Sequence, residues 1–314
     1  MKTRTLGHTD TTVSALCLGT NVFGWNTEER QAHSILSAFV AAGGNFIDTA
    51  DSYSWWVEGN SGGVSESIIG SWLADQKRED LVVATKVGQM PDFPGYTAAY
   101  VHSQLRKSLS NLQTDYVDVY YAHIDDNHQP LEEVATLFHQ LVESGLVRHI
   151  GISNYNAERT NQWCMFAREQ GLHAPVVIEP HYNLLVRKAY EDGLSQLAQM
   201  SGLAVVPYAG LARGFLSGRY TGNEEVGSGP RASQALGYAT PEGLAVLAEV
   251  RALASKHGVE PATVALAWLF SHREITAPIV SASRLEQLAP LVSSTELILT
   301  TEEVALLAGL KTGE

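Results

Sequence analysis

Cysteine is scarce: Cys17 and Cys164 are the only two in 314 residues, too few for a disulfide framework. Cys17 falls in an apolar strand-like run and Cys164 in a helical pattern, so both are expected as reduced thiols of a cytoplasmic protein. The eleven histidines are scattered, with no HExxH or CxxC spacing, and no metal site is expected. A long apolar run is missing as well. The charge-free stretch from Gly193 to Ala212 is interrupted by Ser195, Gln196, Gln199, Ser201, Gly202 and Pro207, so it reads as a helix end and a strand, not a membrane span. The opening MKTRTLGHTDTTVSALCLG lacks the apolar centre of a signal peptide. Basic side chains are few, 21 against 34 acidic, and the net charge of -13 argues against nucleic-acid or anionic-membrane partners. No Gly-x-Gly-x-x-Gly turn follows an early strand, since CLGTNVFGW has the wrong spacing for one.

Hydrophobic residues, by contrast, make up 45% of the chain, enough for a large core. Eight short apolar runs recur: Ala15–Leu18, Phe46–Asp48, Leu81–Thr85, Val117–Tyr121, His149–Ile152, Val176–Ile178, Ala204–Pro207 and Pro278–Val280. Most lack strict alternation, as parallel strands covered on both faces do, and the intervals hold amphipathic stretches. One such stretch opens near Thr27 and stops at Gly43-Gly44; another opens at Pro130 and stops at Gly145. Eight strand-then-helix units favour a closed (β/α)8 TIM barrel spanning residues 1–314 as one domain; an open doubly wound sheet is the alternative. The N-terminal TRTLGHTDTTVS reads as a β-hairpin plugging the bottom of the barrel.

Catalytic groups of such barrels stand at the C-terminal ends of strands. The runs here end on Asp48, Lys86, His123, Ser153-Asn154, Glu179 and Tyr208, with Tyr53 in the loop after Asp48. Any one of these is explained equally well as a loop or capping residue. Together, Asp48, Lys86 and His123 on three consecutive strands beneath Tyr53 suit proton donation to a carbonyl oxygen. The Lys86 ammonium is expected to lower the pKa of Tyr53, Asp48 to hold Lys86, and His123 to orient the substrate. The segment from Ala209 to Gly243 is long and rich in Gly, Ser and Arg. Backbone amides at Gly210 and Leu211, and near Leu216 to Gly218, suit phosphate oxygens, whereas Asn223 to Gly229 read as a flexible loop. Ser281 and Arg284, before a helix, suit one phosphate group. Phe23, Trp25, Trp55, Trp56 and the Met90 to Tyr96 segment are expected to surround a substrate opening, or to pack as a lid or subunit contact.

NFIDTADSY, VVATKVG, DYVDVYYAH, GLVRHIGISNY, PHYNLL and GFLSGRY resemble, in order and spacing, the aldo-keto reductases across nearly the whole chain. The resemblance implies a catalytic tetrad of Asp48, Tyr53, Lys86 and His123, and hydride transfer from NADPH to an aldehyde or ketone. It also implies contacts of Ser153 and Asn154 with a nicotinamide carboxamide, and Tyr208 stacked on the ring. Glu179 stands where the family usually has glutamine. Gln287 and Leu291 replace a basic residue and an asparagine, so NADH is expected to be tolerated beside NADPH. The partner expected is a small carbonyl compound, and the chain a monomer or weak homo-oligomer. Two alternatives stay open: a cofactor-binding regulatory protein with slow residual chemistry, and an alcohol or sugar dehydrogenase running in reverse.

Overall fold

A computed structural model describes residues 1–219 and 232–312, so the expected flexible loop at Asn223 to Gly229 lies outside the described residues. Two short strands, β1 (Thr3–Thr5) and β2 (Thr12–Ser14), pair antiparallel. Eight more form one parallel sheet: β3 (Cys17–Gly19), β4 (Phe46–Asp48), β5 (Val82–Val87), β6 (Val117–Ala122), β7 (Val147–Ser153), β8 (Pro175–Glu179), β9 (Ala204–Val205) and β10 (Ile279–Val280). Their order is β10-β3-β4-β5-β6-β7-β8-β9, each strand beside its sequence neighbour. The sheet then closes on itself, because the Val205 carbonyl accepts from the Thr276 amide at 2.7 Å and the Pro207 carbonyl from the Ile279 amide at 2.8 Å. The result is the expected (β/α)8 barrel.

Helices separate the strands on the outside. The stretch expected to open at Pro130 is a helix over Leu131–Glu143 that buries Leu131, Val134, Ala135, Phe138 and Leu141, the stripe a 3.6-residue period requires. Gly145 follows it with φ 76, a backbone state that costs glycine little. The helix expected near Thr27 runs Glu29–Ala41, with Glu28 at its N-cap and no side-chain capping bond. Between β9 and β10 the described residues add a 3-10 turn, Ala212–Ser217, and three helices, Ala232–Leu236, Pro241–His257 and Pro261–Phe270. Among the described residues no helix is long and apolar enough to cross a membrane.

Strand alternation sets what the barrel interior contains. Phe46, Val82, Ala84, Val119, Tyr121 and Val177 form its apolar filling, and Leu6 and Val13 of the hairpin join them from below. The hairpin is held in place by Arg4, whose guanidinium donates to the Ile275 carbonyl, and by Thr11, bonded to His149 at 2.7 Å. It plugs the bottom, as expected. With a period of two, the next inward positions above Phe46, Ala84, Tyr121 and Val177 are Asp48, Lys86, His123 and Glu179. The apolar layers thus stand as a pedestal for polar groups at the C-terminal rim.

One close approach steadies that pedestal. A Cβ on Gly151 would lie 2.4 Å from the Tyr121 ring, which in turn sits 5.5 Å from the Lys86 ammonium. Gly151→Ala is therefore expected to cost about 1–3 kcal/mol by overpacking and to lower turnover by shifting the ring under Lys86. Urea unfolding and steady-state rates on the same preparation check both.

Candidate active site

Lys86 is fully buried, and its ammonium spends three donors in three directions: the Asp48 carboxylate, the Thr49 carbonyl at 3.0 Å and the Tyr53 hydroxyl at 3.2 Å. The Tyr53 hydroxyl donates to the other Asp48 oxygen at 3.4 Å. A second carboxylate, Glu179, stands 3.5 Å from the same ammonium; its Oε2 is buried without a hydrogen-bond partner. Asp48 and Glu179 hold the Lys86 proton affinity well above that of an ordinary lysine, although burial pulls the other way. His123 packs edge-on to Tyr53, with ring centroids 6.3 Å apart. Burial first, and Lys86 second, push its pKa well below the usual histidine range, so the imidazole is neutral; its Nδ1 is buried without a partner.

The expected pull of Lys86 on Tyr53 is present but outweighed. Lys86 favours the phenolate, yet burial raises the phenol's pKa by more, and Asp48 and Glu179 add to the rise. In the protein without ligand Tyr53 therefore holds its proton firmly. That suits an acid whose proton leaves only when a developing alkoxide takes it.

Above these groups opens a cleft of about 1180 Å³. Of the residues expected to touch a cofactor, it is lined by Ser153, Asn154, Glu179, Tyr208, Gly210, Leu211, Ser281, Arg284 and Gln287, and Tyr53 and His123 line it too. Asn154, at φ 61, fixes its own orientation by donating to the His123 carbonyl at 2.9 Å and to Ser153 Oγ at 3.1 Å, while accepting from the Tyr208 hydroxyl at 2.9 Å. Tyr208 is stacked on His181 at 5.0 Å. Among the described residues the amides of Gly210 and Leu211 donate to no protein acceptor. Arg213, Arg219 and Arg284 all line the cleft, a basic concentration in a chain of net charge -13, with Glu260 and Glu286 also at its edge.

Several expectations fall elsewhere. Leu216 is fully buried in the apolar core and its amide already bonds the Leu211 carbonyl, and the Gly218 amide bonds the Phe215 carbonyl, so neither offers a phosphate donor. Phe23 is fully buried, its carbonyl taken by Ser54 Oγ at 2.7 Å; it is core, not pocket. Tyr96 is core too, donating to the Ile124 carbonyl at 2.7 Å. Trp56 lines the cleft, whereas Trp25 and Trp55 reach it only through their edge contacts with Trp56, at 5.5 and 6.5 Å. Gln287 lies at the cleft but turns its carbonyl oxygen onto the Ser283 and Arg284 amides at 2.8 and 3.2 Å, capping its own short turn.

Sequence reading passed over Asn21 and Gln89, which also line the cleft; both sit in loops with no periodicity to mark them. It also passed over a surface cluster of His139, Glu143 and His173, since only folding brings the third residue to the other two. That cluster is internally satisfied: His139 Nδ1 accepts from the His173 amide at 3.2 Å, and His173 Nε2 is bonded to Glu143 at 2.8 Å.

A closed barrel with a tyrosine, a buried ammonium and paired carboxylates under an elongated cleft puts this chain among the barrel oxidoreductases. Comparison with known proteins makes the assignment narrower. The model of the Aldo/keto reductase family matches residues 15–311, and the chain belongs to that family. It is 33% identical to the uncharacterized oxidoreductase YrpG of Bacillus subtilis (strain 168) over 96% of this chain and 93% of the relative. It is 30% identical to L-glyceraldehyde 3-phosphate reductase of Escherichia coli (strain K12), covering 97% and 91%. A probable voltage-gated potassium channel subunit beta of Oryza sativa subsp. japonica is also 30% identical, over 97% and 94%.

Proposed function

We propose that this oxidoreductase reduces an aldehyde or ketone with NADPH, Tyr53 giving the proton and Asp48, Lys86 and His123 arranging the transfer. The observation that carries the reading is the fully buried Lys86, donating at once to Asp48 and to a tyrosine that faces the cleft. The residues fit a dinucleotide. Gly210 and Leu211 offer unspent amides to a pyrophosphate, and the arginines around them supply positive charge. Glu179 and His123 each leave a buried polar atom without a partner, as a site awaiting polar ligand groups does. NADPH would supply the hydride. The chain's residues then do the rest: Ser153, Asn154 and Tyr208 hold the ring, His123 hydrogen-bonds the carbonyl oxygen, and Tyr53 protonates it.

Loss of NADPH absorbance over aromatic aldehydes, dicarbonyls and keto sugars tests the reading; no turnover on any of them, with cofactor bound, would favour the regulatory alternative. That alternative draws support from the relative named as a channel subunit. For cofactor choice, Arg284→Ala is expected to weaken NADPH about tenfold or more and NADH hardly at all, because Arg284 faces the cleft and only NADPH carries the additional 2'-phosphate. Fluorescence titration of both cofactors reads the difference, and equal losses would leave Arg284 a surface charge.

A further inference from the structure

Lys86 lies between two titratable groups, Tyr53 at 3.2 Å and Glu179 at 3.5 Å. Its own charge is already matched by Asp48, to which it donates directly. Glu179 is thus a second carboxyl on a single ammonium, 3% exposed, with Oε2 unpartnered. If both carboxyls were ionised, the buried group would carry a net negative charge with nothing to offset its desolvation. Asp48 holds the direct bond and remains the carboxylate; Glu179 is left as the one to keep its proton. The directions agree: burial, then Asp48, raise the Glu179 pKa well above the ordinary carboxyl range against the pull of Lys86.

The other groups that face Glu179 do not change this. Cys17, Tyr53, Tyr121 and Tyr208 come from β3, the loop after β4, β6 and the segment after β9, and each feels Glu179 as a neighbouring acid that resists ionisation beside it. Among the described residues the positive charge beside Glu179 is the Lys86 ammonium, which Asp48 already matches, so what Glu179 lacks is a second positive charge. Ser153, in register with Glu179 and bonded to its carbonyl at 3.0 Å, marks where the nicotinamide of the proposed reaction would bring one.

We infer that Glu179 stores the proton that replenishes Tyr53, passes it through Lys86, and becomes a carboxylate when the adjoining nicotinamide becomes cationic. The inference rests on the proposed carbonyl reduction. Hydride moves from cofactor carbon to carbonyl carbon, and the Tyr53 O–H bond breaks as the substrate O–H bond forms. A Lys86 N–H bond then breaks to restore Tyr53, and the Glu179 O–H bond breaks to restore Lys86. The carbonyl is reduced and the cofactor oxidised. One negative charge on Glu179 matches the new positive charge beside it, and Glu179 regains a proton from solvent once the cleft opens.

The test is the ratio of the Kd for NADP+ to the Kd for NADPH, measured by fluorescence from about pH 6 to 9, for wild type and Glu179→Gln. Taking the ratio cancels titration of the 2'-phosphate, which both cofactors carry. Glu179 should ionise on binding NADP+ and stay protonated with NADPH. The wild-type ratio should therefore fall by up to about tenfold per pH unit until Glu179 ionises unaided, then level off. In Glu179→Gln the ratio should be flat. A flat wild-type ratio overturns the inference while leaving the reductase reading intact, and so does a slope that survives in the variant. Failure of either cofactor to bind overturns both. Calorimetry on wild type in two buffers stands in should the variant not fold: NADP+ binding at neutral pH should release nearly one proton more than NADPH binding, and equal release overturns the relay.

Discussion

Tyr53→Phe is expected to lower turnover by about a thousandfold or more while leaving NADPH affinity within about twofold. The split follows from where the hydroxyl points. It contacts Lys86 and Asp48 at the floor of the cleft, whereas the groups assigned to the cofactor, Ser153, Asn154 and Tyr208, bond one another and the His123 and Glu179 carbonyls. Phenylalanine keeps the ring against His123 and removes the hydroxyl that carries the proton. Fold is expected to be spared, since Lys86 keeps the Asp48 carboxylate and the Thr49 carbonyl as acceptors. Unchanged turnover would remove Tyr53 from its role; lost NADPH affinity would make the ring a wall of the cofactor site.

Much of this site is legible in the sequence because strand ends are legible. Phe46-Ile47, Val82 to Thr85 and Val117 to Ala122 are apolar runs that stop on a charged or polar residue, and the barrel's period of two decides that Asp48, Lys86 and His123 point inward together. Strand limits were less legible at β9, where the expected run to Pro207 shortens to Ala204–Val205 as the chain turns to meet the Ile275 to Ile279 segment. Aromatics after strands misled. Phe23 and Tyr96 look like pocket walls in a string of letters, yet each has its adjoining polar group bonded and is buried, because helix and loop packing, not position after a strand, decides which face they show. The direction of the Tyr53 shift was not legible either. Sequence names the ammonium beside the phenol, but only the fold discloses a second carboxylate and the burial that outweigh it.

The same balance of charge makes Lys86→Met the most damaging single change the site admits. Methionine fills the space of the lysine stem but, among the described residues, leaves the buried Asp48 carboxylate with only the Tyr53 hydroxyl as donor, and takes away the ammonium 3.5 Å from Glu179. Breaking a buried pair from one side costs about 3–5 kcal/mol, so a fall in Tm of roughly 10 °C is expected beside the loss of activity. The pH dependence gives the cause away. Without Lys86, the Asp48 pKa rises further above its unfolded value, from a position that burial has already raised. A carboxyl raised in the folded state contributes its stability at low pH and loses it as pH climbs through the folded value. The variant should therefore be closest to wild type near pH 5 and furthest from it near pH 8. Asp48→Asn combined with Lys86→Met removes the orphaned charge and should recover a large part of the lost stability without recovering turnover. Melting curves of the two single variants and the double variant at both pH values close the cycle; strictly additive losses would mean that Lys86 and Asp48 do not act on each other through charge.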